Sequence, residues 1–104
     1  MIYSYSGSFP YNRPSVQIFA PGSLGVYYCG YLNVAGTLIC HYVGRAIGEG
    51  VTIRSRLVDH FTDGWPDVTH FGHQVCTTAK EAEDLEKGEI KRLQPKYNKV
   101  GKGW

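Results

Sequence analysis

Gly25-Val26-Tyr27-Tyr28-Cys29-Gly30-Tyr31 and Thr37-Leu38-Ile39-Cys40-His41-Tyr42-Val43-Gly44, joined through Asn33 and Gly36, form the stretch on which the fold turns. Both runs are rich in aromatic and β-branched residues, and the connection carries turn formers, which predicts a β-hairpin. Strand alternation places Tyr27, Cys29 and Tyr31 on one face and Val26 and Tyr28 on the other. In the second strand it places Cys40 and Tyr42 on a shared face, with His41 turned away from Tyr42 in a structural role. Tyr27 and Tyr42 are then expected to look the same way.

Working outward, residues 44–50 make a glycine-bearing loop, after which Ile53, Leu57, Val58 and Phe61 recur at helical spacing. Arg56 and His60 stand four apart and fall one above the other on that helix. Residues 61–72, with Gly64-Trp65-Pro66-Asp67, read as a loop, and residues 73–77 as a third strand. Thr78 and Glu81 form a capping-box pattern that opens a second helix, and Pro95 ends it. Before the hairpin, residues 1–24 hold Pro10, Pro14 and Pro21 around the apolar run 16–20 and read as an irregular arm with one edge strand.

The second helix carries the signal of a site. Ala82, Leu85, Glu86, Glu89, Ile90 and Leu93 fall on one face. Two carboxylates in a stripe due for burial are costly unless each meets a cation, a metal or the rim of a cleft. Glu86 is the better metal-ligand candidate, since a hard dication takes carboxylate oxygen and keeps water in the rest of its shell. Glu89 is its rival, and it threatens Glu86 with like-charge repulsion. Gly88, in mid-helix, points to a close backbone approach or to nothing.

The chain has 104 residues, 42% of them hydrophobic, with thirteen Gly and eight Tyr, which bounds it to one globular α/β or α+β domain. No apolar run is long enough to span a bilayer, and the start lacks the pattern of a signal peptide, so a soluble cytoplasmic protein is expected. Three cysteines without close spacing indicate neither a disulfide framework nor a zinc knuckle. The net charge of +2 says little about partners. Its distribution says more, because Arg45, Arg54 and Arg56 form one basic group and residues 91–102 a second, either of which suits phosphate or simply a solvated surface. No Ser lies in a nucleophile-elbow pattern, which argues against a hydrolase triad. His70 and His73 lack a third metal ligand.

Gly25-Val26-Tyr27, Tyr42-Val43-Gly44, Arg56-Leu57-Val58-Asp59-His60-Phe61, Leu85-Glu86-Lys87-Gly88-Glu89-Ile90-Lys91 and Pro95-Lys96-Tyr97-Asn98 follow one another in this order. That order resembles the GIY-YIG nuclease family over residues 25–98, which would make 1–24 an arm and 99–104 a basic tail. The resemblance implies a small mixed α/β (α+β) sheet with three antiparallel strands at its centre and helices on both faces. It also implies a DNA endonuclease that hydrolyses phosphodiesters by in-line attack of water at a single Mg²⁺ or Mn²⁺ held by Glu86. Tyr27 would position or deprotonate the water, Tyr42 would support its network and Arg56 would hold the phosphate, with His60 completing the catalytic set. On the substrate side stand Arg45, a second phosphate contact, Arg54, a rival for the catalytic arginine, and Asn98, which would tie the chain end to the core. Because no separate DNA-targeting module is visible, specificity would come from residues 1–24, the 62–72 loop, a homodimer or an accessory targeting protein. An idle nucleic-acid-binding or protein-interaction domain of the same fold is the alternative.

Overall fold

The hairpin closes through its turn chemistry. The Asn33 side chain accepts from the backbone N–H groups of Ala35 and Thr37, both at 3.0 Å, and Gly36 takes the positive φ of 80° that the turn requires. Around it the computed structural model describes residues 1–99. The chain runs β1 (Ser6–Pro10), α1 (Arg13–Phe19), β2 (Gly25–Leu32), β3 (Leu38–Ala46), α2 (Ile53–Asp59), a 3-10 turn (His60–Asp63), β4 (His70–Val75), α3 (Ala79–Leu93) and α4 (Lys96–Lys99). The strands lie in the order β1-β4-β2-β3, and every neighbouring pair is antiparallel. This is an α+β domain that contains the three expected antiparallel strands, β4, β2 and β3, with β4 and β2 central, β3 at one edge and β1 added at the other.

Two apolar layers sandwich the sheet. On one face Tyr27, Cys29 and Phe71 pack with Val16 and Ala20 of the α1 segment and with Ile53 and Leu57 of α2. On the other, Val26, Tyr28 and Val43 meet Ala82, Leu85, Ile90 and Leu93 of α3. Val26/Tyr28 and Tyr27/Cys29 therefore separate between the faces as alternation requires. No helix among the described residues is long and apolar enough to cross a membrane.

The structure corrects several readings of the sequence. Cys40 and Tyr42 do not share a face, because the pairing Cys29↔Tyr42 is followed by Gly30↔Cys40, which leaves His41 as the extra residue of a β-bulge. A Cβ on Gly30 would overlap the Ile39 backbone, so the glycine admits the close approach of β3 at that point. Nor does His41 point away from the Tyr42 side. Its ring lies 6.0 Å from that of Tyr97, which stacks on the Trp65 ring that meets Tyr42.

The apolar run 16–20 is helical. Asn12 caps α1 by accepting from Ser15 N at 2.9 Å, and Pro14 sits in the first turn, where its missing N–H costs nothing. The edge strand falls earlier, at Ser6–Pro10, so residues 1–24 supply both sheet and core. β4 begins at His70, inside the segment read as loop. Gly72, within that strand, lies under the Tyr5 ring, which would collide with a Cβ there. A 3-10 turn also replaces the start of that loop, so His60 follows α2 rather than belonging to it.

The second helix behaves as read. Thr78 and Glu81 form the capping box, and Gln94, at φ 48°, ends α3 before Pro95. Gly88 faces open space, so no neighbour explains it. Beyond Lys99, the expected basic tail lies outside the described residues.

Candidate active site

β3 is a sheet edge, and its exposed backbone groups need partners. Asn98 supplies them. Its Oδ1 accepts from Val43 N at 2.8 Å and its Nδ2 donates to Val43 O at 2.9 Å, so the buried amide imitates a strand neighbour. Both the oxygen and the nitrogen of this buried side chain are thereby engaged, which makes Asn98 the tie between chain end and sheet.

Along the same strand, Tyr42 and Arg45 open into a cleft of about 390 Å³, walled by Ile47 and Val51 and shared with Tyr27 of β2, Arg56 of α2 and Glu86 of α3. Five polar side chains of the predicted set thus converge from four elements. The Tyr27 and Tyr42 rings lie 6.2 Å apart, on one side of the sheet. Tyr27 is fully buried, its ring crossing Gly44, where any Cβ would fall within the ring. The glycine of Tyr42-Val43-Gly44 is therefore a steric requirement of the first tyrosine.

Burial raises the Tyr27 phenol well above the ordinary tyrosine range, and neighbouring Tyr42 adds to the rise, whereas Arg56 opposes it. Burial likewise raises Tyr42, with the Glu86 carboxylate as the next contributor. Neither phenol ionises unaided near neutral pH. The phenol oxygens of Tyr27 and Tyr42 in turn favour the charged form of Arg56, the first of them most strongly. Arg56 also donates to Asp59 at 3.3 Å.

Glu86, 17% exposed, pairs with Arg45 at 3.2 Å. Glu89 goes elsewhere, accepting from the Tyr28 hydroxyl at 2.9 Å and from Arg92 at 2.7 and 3.0 Å, which holds its carboxyl below the usual range. It lines a second cleft of about 330 Å³ with Tyr28 and Cys40, and the like-charge conflict with Glu86 is thereby avoided. The stripe on α3 carries two carboxylates because each meets its own arginine.

The two rival arginines separate as cleanly. Arg54 Nε donates to Ala20 O at 2.9 Å, at the end of α1, and Arg54 does not line the cleft. Arg56 does.

Sequence reading missed three residues next to the cleft. Asp63 Oδ2 lies 2.6 Å from His60 Nδ1, and His60 Nε2 lies 2.7 Å from the Tyr27 hydroxyl. Trp65 stacks on His60 with ring centroids 4.8 Å apart. Asp67 accepts from Tyr97 Oη at 2.5 Å and from Lys96, and lies 3.5 Å from His41 Nε2. Lys96 first and Tyr97 second lower its carboxyl to about 2. The spacing His60-x-x-Asp63 was the one available signal, since residues three apart on a helical turn can meet.

His70 and His73 fall on a strand, three apart, and so point to opposite faces. His73 pairs with Phe19 O at 3.2 Å, and His70 with the Thr69 hydroxyl at 2.9 Å. No group of three His, Cys, Asp or Glu able to hold a metal occurs among the described residues. No protein-family model matches the chain, and no curated protein matches it. What fold and cleft define on their own is an α+β domain with two phenols, two guanidiniums and one carboxylate around a single opening.

Proposed function

We propose that the domain is a metal-dependent DNA endonuclease of the GIY-YIG type, which hydrolyses a phosphodiester by in-line attack of water. The observation that carries this reading is the convergence of Tyr27, Tyr42, Arg45, Arg56 and Glu86 on one cleft from four elements distant in sequence. A cleft with two arginines suits a phosphodiester, because a guanidinium binds phosphate oxygens in pairs and offsets the charge that develops on them.

Each side chain has a task in that reading. Arg56 holds the scissile phosphate, and Arg45 makes a second phosphate contact. Tyr27 orients the attacking water and receives its proton, with Tyr42 supporting the water network. Glu86 suits Mg²⁺ or Mn²⁺, which binds through one or two carboxylates with water completing the shell, although Arg45 must first yield its hold on the carboxylate. Bound there, the ion would polarise a phosphoryl oxygen and stabilise the leaving oxygen. Specificity would come from residues 1–24, the 62–72 loop, a second copy of the chain or an accessory protein.

The test is nicking of supercoiled plasmid DNA with Mg²⁺ or Mn²⁺, against a chelator control and the Glu86→Ala variant. Metal-dependent nicking by the parent, lost in the variant, supports the reading. DNA binding without cleavage by the folded parent would instead identify an idle binding domain.

A further inference from the structure

We infer that Asp63 is a positioning residue that sets the tautomer of His60, so that His60 Nε2 takes the proton of the Tyr27 hydroxyl. The inference deepens the nuclease reading and rests on it for its catalytic meaning, but the geometry stands apart from it. Tyr27, His60 and Asp63 form an unbroken chain, with 2.7 Å from phenol oxygen to Nε2 and 2.6 Å from Nδ1 to carboxylate. The His60 side chain is only 9% exposed and lies between the Trp65 ring, at 4.8 Å, and those of Tyr42 and Tyr27, at 4.9 and 5.5 Å, so its plane is fixed by packing.

Hydrogen bookkeeping assigns the protons. An ionised carboxylate only accepts, so Nδ1 carries the hydrogen and donates to Asp63, and neutral His60 presents Nε2 as an acceptor. The Tyr27 O–H then donates to Nε2. Arg56, which has donors and no acceptor, interacts with the same phenol oxygen and so does not compete for the Tyr27 hydrogen.

The arrangement answers a difficulty of the site, since a deeply buried phenol is a poor base unless its own proton has somewhere to go. As the water oxygen bonds to phosphorus, its O–H bond breaks and the proton passes to the Tyr27 oxygen, while the Tyr27 proton moves to His60 Nε2. The P–O bond to the leaving oxygen breaks, and that oxygen takes a proton from solvent. Asp63 then faces an imidazolium, whose charge it stabilises. Removing the carboxylate frees the ring to carry its single hydrogen on Nε2, and the relay loses its acceptor.

The experiment combines heteronuclear NMR of the four histidine rings with single-turnover cleavage, using the whole chain as parent, Asp63→Asn and Asp63→Glu. The His60 signals are assigned by their loss in His60→Gln. The parent should show the Nδ1–H tautomer and Asp63→Asn the Nε2–H tautomer, with a fall in rate of at least about 10²-fold and DNA affinity within a few-fold. Asp63→Glu should restore the parent tautomer and part of the rate. An unchanged tautomer in Asp63→Asn, or a rate within about 3-fold of the parent, overturns the role of Asp63 while leaving the nuclease reading intact. Absence of cleavage by the parent removes the nuclease reading instead, and the tautomer measurement still decides the Asp63 assignment.

Discussion

Arg45 and Glu86 face each other across the cleft at 3.2 Å, with 39% and 17% of their side chains exposed. A pair at a wet rim contributes little to stability, roughly 0–1 kcal/mol, because solvent screens it. Glu86→Ala should therefore leave thermal melting almost unchanged while abolishing metal-dependent nicking. Cleavage that persists in this variant would exclude Glu86 as the metal ligand, and Glu89, already held by Arg92 and Tyr28, offers no substitute in the same cleft.

The two tyrosines should separate in their response to loss of a hydroxyl. Tyr27→Phe keeps the buried ring but leaves His60 Nε2 without its partner, a cost of about 1–2 kcal/mol. Its cleavage rate should fall by at least about 10²-fold, and that of Tyr42→Phe by less. Single-turnover rates alongside chemical denaturation check both quantities, and near-normal rates in both variants would reduce the rings to packing.

Arg54 and Arg56 lie one residue apart and should fail differently. Arg54→Ala removes the donor to Ala20 O at the end of α1, so it should lower stability by about 1 kcal/mol and leave turnover alone. Arg56→Ala should lower turnover far more than DNA affinity if, as proposed, the guanidinium acts on charge that builds in the transition state. Slower turnover in Arg54→Ala at unchanged stability would reverse the assignment.

Asn98→Ala should be the most destabilising of these substitutions, by about 2–4 kcal/mol, because it strands both the N–H and the C=O of Val43 at a covered edge. Urea unfolding measures it. A loss below about 1 kcal/mol would mean that water replaces the amide without penalty.

His73 makes stability depend on pH. Burial lowers its pKa, with only the Phe19 carbonyl opposing. The folded state then binds its proton more weakly than the unfolded chain, whose histidines titrate near 6.5, so stability falls as pH drops through about 6.5 and below. The melting temperature should decline between about pH 7.5 and pH 5, and less steeply in His73→Phe, whose ring can still stack near Phe9 and Phe71. Equal slopes would place the pH dependence on another group, with His41, also lowered by burial, the first to test.

Local chemistry by itself determined the elements whose signals lie within a few residues of one another. The hairpin turn at Asn33 and Gly36, the capping box at Thr78 and Glu81, and the apolar stripe of α3 each depend on backbone groups and side chains that are neighbours in the chain. The stripe also marked Glu86 as anomalous before any partner was known, since burial cost is a property of the carboxylate itself. Alternation along β2 placed Tyr27 and Tyr28 on opposite faces correctly. It failed in β3 because the bulge at His41 depends on how closely Gly30 lets the second strand approach, and that distance belongs to the pair of strands.

Only the tertiary structure decided which charges meet. Arg45 and Glu86 are 41 residues apart and Asn98 lies 55 residues from Val43, so neither contact is implied by local spacing. The same holds for the separation of Arg54 from Arg56, since α1 offers the Ala20 carbonyl to the first while the second lines the cleft. Tyr27 and His60, 33 residues apart, become a hydrogen-bonded pair because the 3-10 turn after α2 swings the imidazole over β2. Propensity and periodicity act along the chain, whereas burial, charge pairing and proton transfer act across space, and the fold must exist before the second set can operate.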